Sequence, residues 1–272
     1  MTETTPLKDI ANSIKVPADL IKAAGEPPAH EFGQGLADII YLIFSPIKKW
    51  RASAEANIEK YKAEIAKELD KIEPEKRTEP KLSVAGPALE ASKYYIEEDE
   101  LRSMFAKLIA ASANTDYQDG AIPAFVEIIK QLSAFDAKNL IELKKITYCQ
   151  KPLVAGKLRL LNPETGMGRT IFEHYIPLAD FNNENSNIYA VSIDNLQRLG
   201  LIIIHHGSSA KREFHDELLN LDFYKEYKAQ LTELQKDVNR VNDYYIDKEL
   251  VIEDATWNFT DFGELFIKCC LD

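Results

Sequence analysis

The residues of this chain that could bind a transition metal are His205 and His206, together with His215 and the adjacent Cys269 and Cys270. Imidazole and thiolate groups are the usual protein ligands of zinc and related ions. Successive residues of a β-strand face opposite sides of a sheet, so at most one of the two adjacent histidines can join a given site. Because a histidine pair at the exposed end of a strand is common without a metal, we predict no metal site and no cofactor.

Motifs for nucleophilic or phosphate chemistry are absent from the sequence. It contains no Gly-x-Ser-x-Gly elbow, no P-loop and no His-Glu-x-x-His. We interpret Gly166-Met167-Gly168 as a turn and not as a phosphate cradle. We therefore predict no catalytic residues and a protein that is not an enzyme, with a metal-dependent hydrolase or nuclease, dependent on His206, as an alternative.

The acidic run Glu97-Glu98-Asp99-Glu100 also has a structural interpretation. Consecutive carboxylates on a helix point about 100° apart and do not converge on one ion. Negative charge is favourable in the first turn of a helix, and Glu98 and Arg102 have the spacing of an ion pair on one helix face. We predict a helix start here.

The charge distribution argues against a surface built for nucleic acid. The formal net charge is −11 and the isoelectric point is about 5.1. Residues 151–272 hold 13 Lys and Arg against 20 Asp and Glu, a net charge of −7 (13 minus 20). Non-specific affinity for nucleic acid depends on many cations that displace counterions from phosphate. Nucleic acid is thus the less favoured partner.

The sequence predicts a cytoplasmic protein. Three cysteines without zinc spacing suit a reducing compartment, and the first residues lack the basic start and apolar run of a secretory signal. The longest apolar stretch, Leu36 to Phe44, contains Asp38 and is far shorter than the roughly 20 residues that cross a membrane.

The N-terminal part of the chain predicts an arm followed by a long helix. Residues 1–30 are polar and contain four prolines, a composition that indicates a mobile arm. Residues 31–79 predict a helix that is kinked near Pro46. A narrow stripe at steps of three and four is typical of paired helices, so we predict self-association and a homo-oligomer. The stripe comprises Ile47, Ala54, Ile58, Tyr61, Ile65, Leu69 and Ile72.

An earlier segment of the same helix has a wider apolar face with a basic flank. Such a helix can lie in a membrane interface or contact a partner, which would make the protein peripheral to the membrane. The alternative is that this face packs against the rest of the protein. The apolar residues are Leu36, Ile39, Ile40, Ile43, Phe44 and Trp50.

The remainder predicts a mainly α (α+β) protein. Residues 80–150 predict a helical bundle, with helices at about 87–114 and 122–132 and a third that starts at Ser133. Residues 151–272 predict a winged-helix-like domain with a helical insertion in the wing. Its elements are a helix at about 191–199, strands at 201–206 and 250–259, a long helix at 213–242, and a final helix at 260–270.

Two local signals carry the winged-helix prediction. Gly200 should end a helix, and Thr260 should cap the start of the last one. The recognition face could read DNA, which makes a winged-helix transcriptional regulator an alternative. Its acidic surroundings favour contact with an unknown protein. The surface residues are Asn195, Gln197, Arg198, Lys211 and Arg212.

Four segments together resemble the Abi-alpha (abortive infection alpha) family of bacterial proteins: 95–110, 122–133, 195–202 and 259–269. The resemblance covers roughly residues 31–272 and is strongest from Tyr95 to Leu140. It implies a bacterial cytoplasmic protein linked to phage defence through growth arrest or death of the infected cell. It supplies no catalytic residues, and the residue before Pro123 is Ile122, where a histidine beside the proline is expected. We therefore predict action through protein interaction, with membrane contact as an addition.

Overall fold

The computed structural model describes residues 52–149, 153–176, 178, 181–182, 184–208, 212–236 and 245–272. The predicted mobile arm and the part of the predicted helix that precedes Ala52 lie outside these residues, and so does Lys211. So do Leu36, Ile39, Ile40, Ile43, Phe44, Ile47 and Trp50. The described residues form two compact units, one made of 52–134 with Leu265–Asp272, the other of Phe135–Glu264.

The first unit is helical. Its helices are α1 (Ala52–Asp70), α2 (Leu82–Ser92), α3 (Asp99–Ser112), α4 (Pro123–Gln131) and the end of α9 (Asp261–Cys270). The predicted helix start in the acidic run and the predicted helix at 122–132 are confirmed by α3 and α4. The prediction of a single helix over 87–114 was wrong, because the chain turns between Ser92 and Asp99, with Glu98 in an extended conformation.

Helix α3 contributes a large share of the core of this unit. Its side chains Leu101, Phe105 and Leu108 are fully buried. The end of α9 completes the core, where the ring of Phe266 meets Phe125 edge-on with a centroid distance of 5.2 Å. Two aromatic side chains that pack edge-on add roughly 0.5–1.5 kcal/mol to the burial of their surface. The last helix of the chain thus stabilises its first bundle.

The second unit contains an antiparallel half-barrel sheet of four strands in the order β2-β1-β4-β3. The strands are β1 (Val154–Leu161), β2 (Gly168–Tyr175), β3 (Ile202–His206) and β4 (Glu249–Phe259). The fold-class prediction, with its winged-helix-like domain, was wrong. Strand β4 does pair with β3, but it also pairs with β1 from Glu249 to Thr256. It is therefore an inner strand of a larger sheet and not the second strand of a wing.

Four helices accompany the sheet: α5 (Ala134–Tyr148), α6 (Ser186–Arg198), α7 (Arg212–Asn220) and α8 (Asp222–Lys236). The predicted helical insertion at 213–242 is instead α7 followed by α8. Helix α7 packs on β1, and the Tyr175 hydroxyl donates to the Leu218 carbonyl at 3.3 Å. Helix α6 packs on the two outer strands β2 and β3, and α8 contacts α7 and bonds β4 through the Tyr224 hydroxyl.

The two predicted helix ends are confirmed. Gly200 has a φ of +73°, and the Gly200 and Leu201 N–H groups donate to the Gln197 and Leu196 carbonyls at 2.9 and 3.0 Å, which is a Schellman motif. At the start of α9 the Thr260 hydroxyl accepts from the Gly263 N–H at 2.9 Å and donates to the Gly200 carbonyl at 2.5 Å. The two ends are therefore hydrogen-bonded to each other.

Candidate functional site

The predicted self-association stripe lies inside the chain's own core wherever its side chains are described. Ile58 and Tyr61 are fully buried, Ile65 and Ile72 nearly so, and Leu69 is partly buried. Ala54 belongs to α1, but its side chain lies outside the description. Helix α1 packs on α3. The described part of the stripe therefore contributes to the fold of one chain, and its pairing with a second copy stays a prediction.

Arg102 of α3 adds an ion pair to this contact. Its side chain is only 4% exposed, and Nη2 lies 2.7 Å from the Glu64 carboxylate of α1 and 2.7 Å from that of Asp99. Nη1 donates to the Ile96 carbonyl at 3.0 Å. The ion pairs of Arg102 are thus with Glu64 and Asp99, and not with Glu98 as predicted. A buried cation bound by two carboxylates and a carbonyl has a structural role.

In the second unit, α6 carries the predicted surface residues Asn195, Gln197 and Arg198. The Asn195 side-chain amide donates to the Asp136 carboxylate at 3.0 Å, and its oxygen accepts from Arg198 Nη2 at 2.7 Å. Gln197 is exposed. Arg212 begins α7, with its side chain outside the description. The structure therefore connects Asn195 through hydrogen bonds both to Arg198 and to the buried carboxylate of Asp136.

The two sides of α6 differ in burial. Ser192, with Tyr189, Ile193 and Leu196, is buried, and its hydroxyl accepts from the Asn139 amide at 2.9 Å. On the other side Ile188 is 58% and Val191 is 68% exposed. The exposed side therefore offers apolar side chains close to the polar group of Asn195 and Arg198.

A histidine contact joins α6 to the two edge strands of the sheet. His174 of β2 lies with Nε2 2.9 Å from the Asp194 carboxylate of α6, and its ring stacks on that of His206 of β3 with a centroid distance of 5.8 Å. The His174 side chain is only 10% exposed, and its Nδ1 is a buried atom without a hydrogen-bond partner among the described residues. Burial lowers the pKa of His174, although the neighbouring Asp194 opposes that effect.

Sequence reasoning missed His174. Its neighbours in the chain carry no motif, and no strand was predicted for 168–175. The ring meets Asp194 and His206 only because the sheet and α6 bring distant segments together. The sequence analysis considered His206 only as a metal donor, so no signal in the sequence pointed to this contact.

The histidines and cysteines that were considered as candidate metal donors are not found together in the structure. His205 Nε2 lies 2.8 Å from the Asn258 side-chain oxygen, and His215 Nδ1 lies 3.5 Å from the Asp254 carboxylate. Burial raises the pKa of the Cys269 thiol to about 11, and Cys270 is likewise buried. Within the part of the chain that the structure describes, no group of three or more His, Cys, Asp or Glu side chains could hold a metal ion.

Among the described residues, no helix is both long and apolar enough to cross a membrane. The comparison with curated proteins gave no match, and the comparison with solved structures gave none either. The model of the abortive infection alpha family matches residues 53–270, which confirms the resemblance seen in the four sequence segments. Since the match spans most of the chain, this protein belongs to the abortive infection alpha family.

Proposed function

We propose that this protein acts in abortive infection, the phage-defence response that its family name describes, by binding another protein and without catalysis. Family membership supports the role in abortive infection. The observation that carries the mode of action is the exposed apolar pair of α6, Ile188 and Val191. A helix that presents apolar side chains to solvent is a common element of protein recognition.

The polar end of the same helix suits a protein partner better than DNA. Asn195 bonds both Arg198 and Asp136, so the arginine is held in place for a hydrogen bond with a partner. The net charge of −7 over 151–272 opposes the approach of a phosphate backbone. The DNA-binding regulator is therefore the weaker alternative, and within the described parts of the chain no cluster of metal donors supports a hydrolase.

The experiment is a phage plaque assay on bacteria that express the full chain or a variant. Val191→Asp places a charge on the α6 surface and should lower protection at least tenfold in plaque counts. Leu234→Asp is the matched control, because Leu234 is 49% exposed on α8 and the same charge there should leave protection intact. Equal protection by the two variants would refute the proposal that the exposed side of α6 binds the partner.

A DNA-binding role is tested separately. Wild type and Arg198→Ala are titrated with duplex DNA at low and moderate salt. We expect weak binding that does not depend on Arg198. A tenfold loss of affinity in the variant, together with a steep salt dependence, would favour the transcriptional regulator.

Cytoplasmic location, self-association and contact with a membrane surface belong to the same proposal and rest on the sequence. The segment Leu36 to Phe44 supports the membrane part through its apolar face and the basic residues that follow it. Liposome flotation of the full chain against Ile40→Asp and Phe44→Asp tests it. A wild-type protein that stays with the soluble fraction refutes membrane contact, and solution mass measurement tests the oligomer.

A further inference from the structure

The contact between His174 and His206 stands at an unusual place in the second unit. Strands β2 and β3 are the two outer strands of the sheet, separated by β1 and β4. Outer strands of an open sheet have no backbone pairing with each other. The half-barrel nevertheless brings one imidazole from each outer strand into a stacked contact, and α6 packs against both strands.

Charged and titratable groups surround this contact on every element that reaches it. Asp194 on α6 lies 2.9 Å from His174 Nε2, Glu173 precedes His174 on β2, and His206 stacks from β3. Glu173 itself is paired with Lys157 of β1 at 2.7 Å. The nearest group that repels a proton on His174 is therefore the other imidazole, whereas Asp194 and Glu173 attract it.

We propose that His174 and His206 form a pH-sensitive latch, which joins the two outer strands of the half-barrel while His174 is neutral and loosens when His174 becomes protonated. The neutral ring of His174 stacks on the exposed ring of His206 with a centroid distance of 5.8 Å, and this contact is the only ring stacking seen between the outer strands among the described residues. His174 is nine-tenths buried, so its charged form loses hydration. The latch is a property of the purified protein and does not depend on the proposed function.

The direction of the pH effect follows from burial. His174 has a lower pKa in the folded protein than an exposed histidine, because burial disfavours the charged ring. The unfolded chain therefore binds this proton more tightly, so the stabilisation is present above the unfolded pKa, which is about 6.5, and is lost as the pH falls below it. At pH 5.5 a free imidazole is protonated about ten to one, so this residue can raise the unfolding equilibrium constant up to about tenfold.

The test compares the full chain with His174→Gln, His206→Gln and His205→Gln. His205 is the matched control, since it neighbours His206 but binds Asn258. All four proteins carry Trp50→Phe, which leaves Trp257 of β4, only 1% exposed, as the single tryptophan whose fluorescence reports the sheet. Urea unfolding at pH 7.5 and 5.5 should show a smaller pH response in the His174 and His206 variants than in wild type and the His205 variant.

Two further measurements distinguish a latch from a general loss of stability. Amide exchange of residues 202–206, corrected for the intrinsic pH effect, should accelerate at pH 5.5 in wild type and not in His206→Gln. The pKa of His174, followed by NMR, should rise in His206→Gln and stay unchanged in His205→Gln. Equal pH responses in all four proteins, or exchange at 202–206 that does not change with pH, would overturn the latch.

Discussion

Substitution of Gly263 by alanine should destabilise the second unit, although alanine favours helices. Gly263 lies in the first turn of α9, and a Cβ built on it would lie 1.9 Å from the Leu201 carbonyl oxygen and 2.8 Å from its carbon. Both neighbouring atoms belong to the backbone, so no side chain can move aside. The backbone would have to shift by roughly 1.5 Å to move from 1.9 Å to an ordinary contact of 3.4 Å, at the place where Thr260 bonds Gly200.

Two effects of opposite sign decide the magnitude. Helix propensity alone predicts that Gly→Ala stabilises by up to about 1 kcal/mol. Overpacking against a rigid neighbour typically costs about 1–3 kcal/mol, and the loss of the Thr260 cap geometry adds about 1 kcal/mol. We therefore expect Gly263→Ala to lower the free energy of unfolding by about 2–3 kcal/mol.

The assay is urea unfolding of the full chain, with far-UV circular dichroism and tryptophan fluorescence followed together. Gly86→Ala is the matched control, because Gly86 lies inside α2 and its added Cβ would meet only the Leu82 side chain at 3.6 Å. The control should change in stability by less than about 1 kcal/mol, because the helix preference of alanine is opposed by the steric penalty on a helical residue before Pro87. If Gly263→Ala behaves like Gly86→Ala, close approach does not decide the stability at this position and the reasoning fails.

Three further predictions concern burial and chain ends. Arg102→Ala should destabilise the first unit by about 2–4 kcal/mol in urea unfolding, because it removes the cation between two carboxylates and leaves a void; a change under 1 kcal/mol would contradict this. Gly200→Ala should cost about 1 kcal/mol, since its φ of +73° strains alanine; thermal melting without any shift would speak against it. In the native protein a thiol reagent should modify exposed Cys149 and reach Cys269 and Cys270 only after unfolding, because burial raises their pKa; three equivalents in the native state would be the contrary result.

The helix ends were predictable from the sequence because their interactions are made by neighbours along the chain. The N–H groups of Gly200 and Leu201 donate to carbonyls three and five positions earlier, and Thr260 caps a residue three positions later. Glycine at a positive φ and threonine at a helix start are local requirements, so the residue types suffice to indicate them. The four segments that resemble the family were likewise visible in the sequence, and the match over 53–270 confirms them.

The sheet and the histidine contact were decided by tertiary structure. Strand β4 pairs with β1 across a long separation in sequence, and no periodicity within either strand specifies its partner, which is why a wing was predicted in place of a four-stranded sheet. The α1 stripe shows the same limit, since an apolar row predicts that a helix is covered but not which chain covers it. His174 gained its role only when folding removed it from water beside Asp194 and His206. The residue types determined which groups each position could offer. Burial and long-range strand pairing determined which of these groups come into contact, because they depend on how segments distant in sequence pack together.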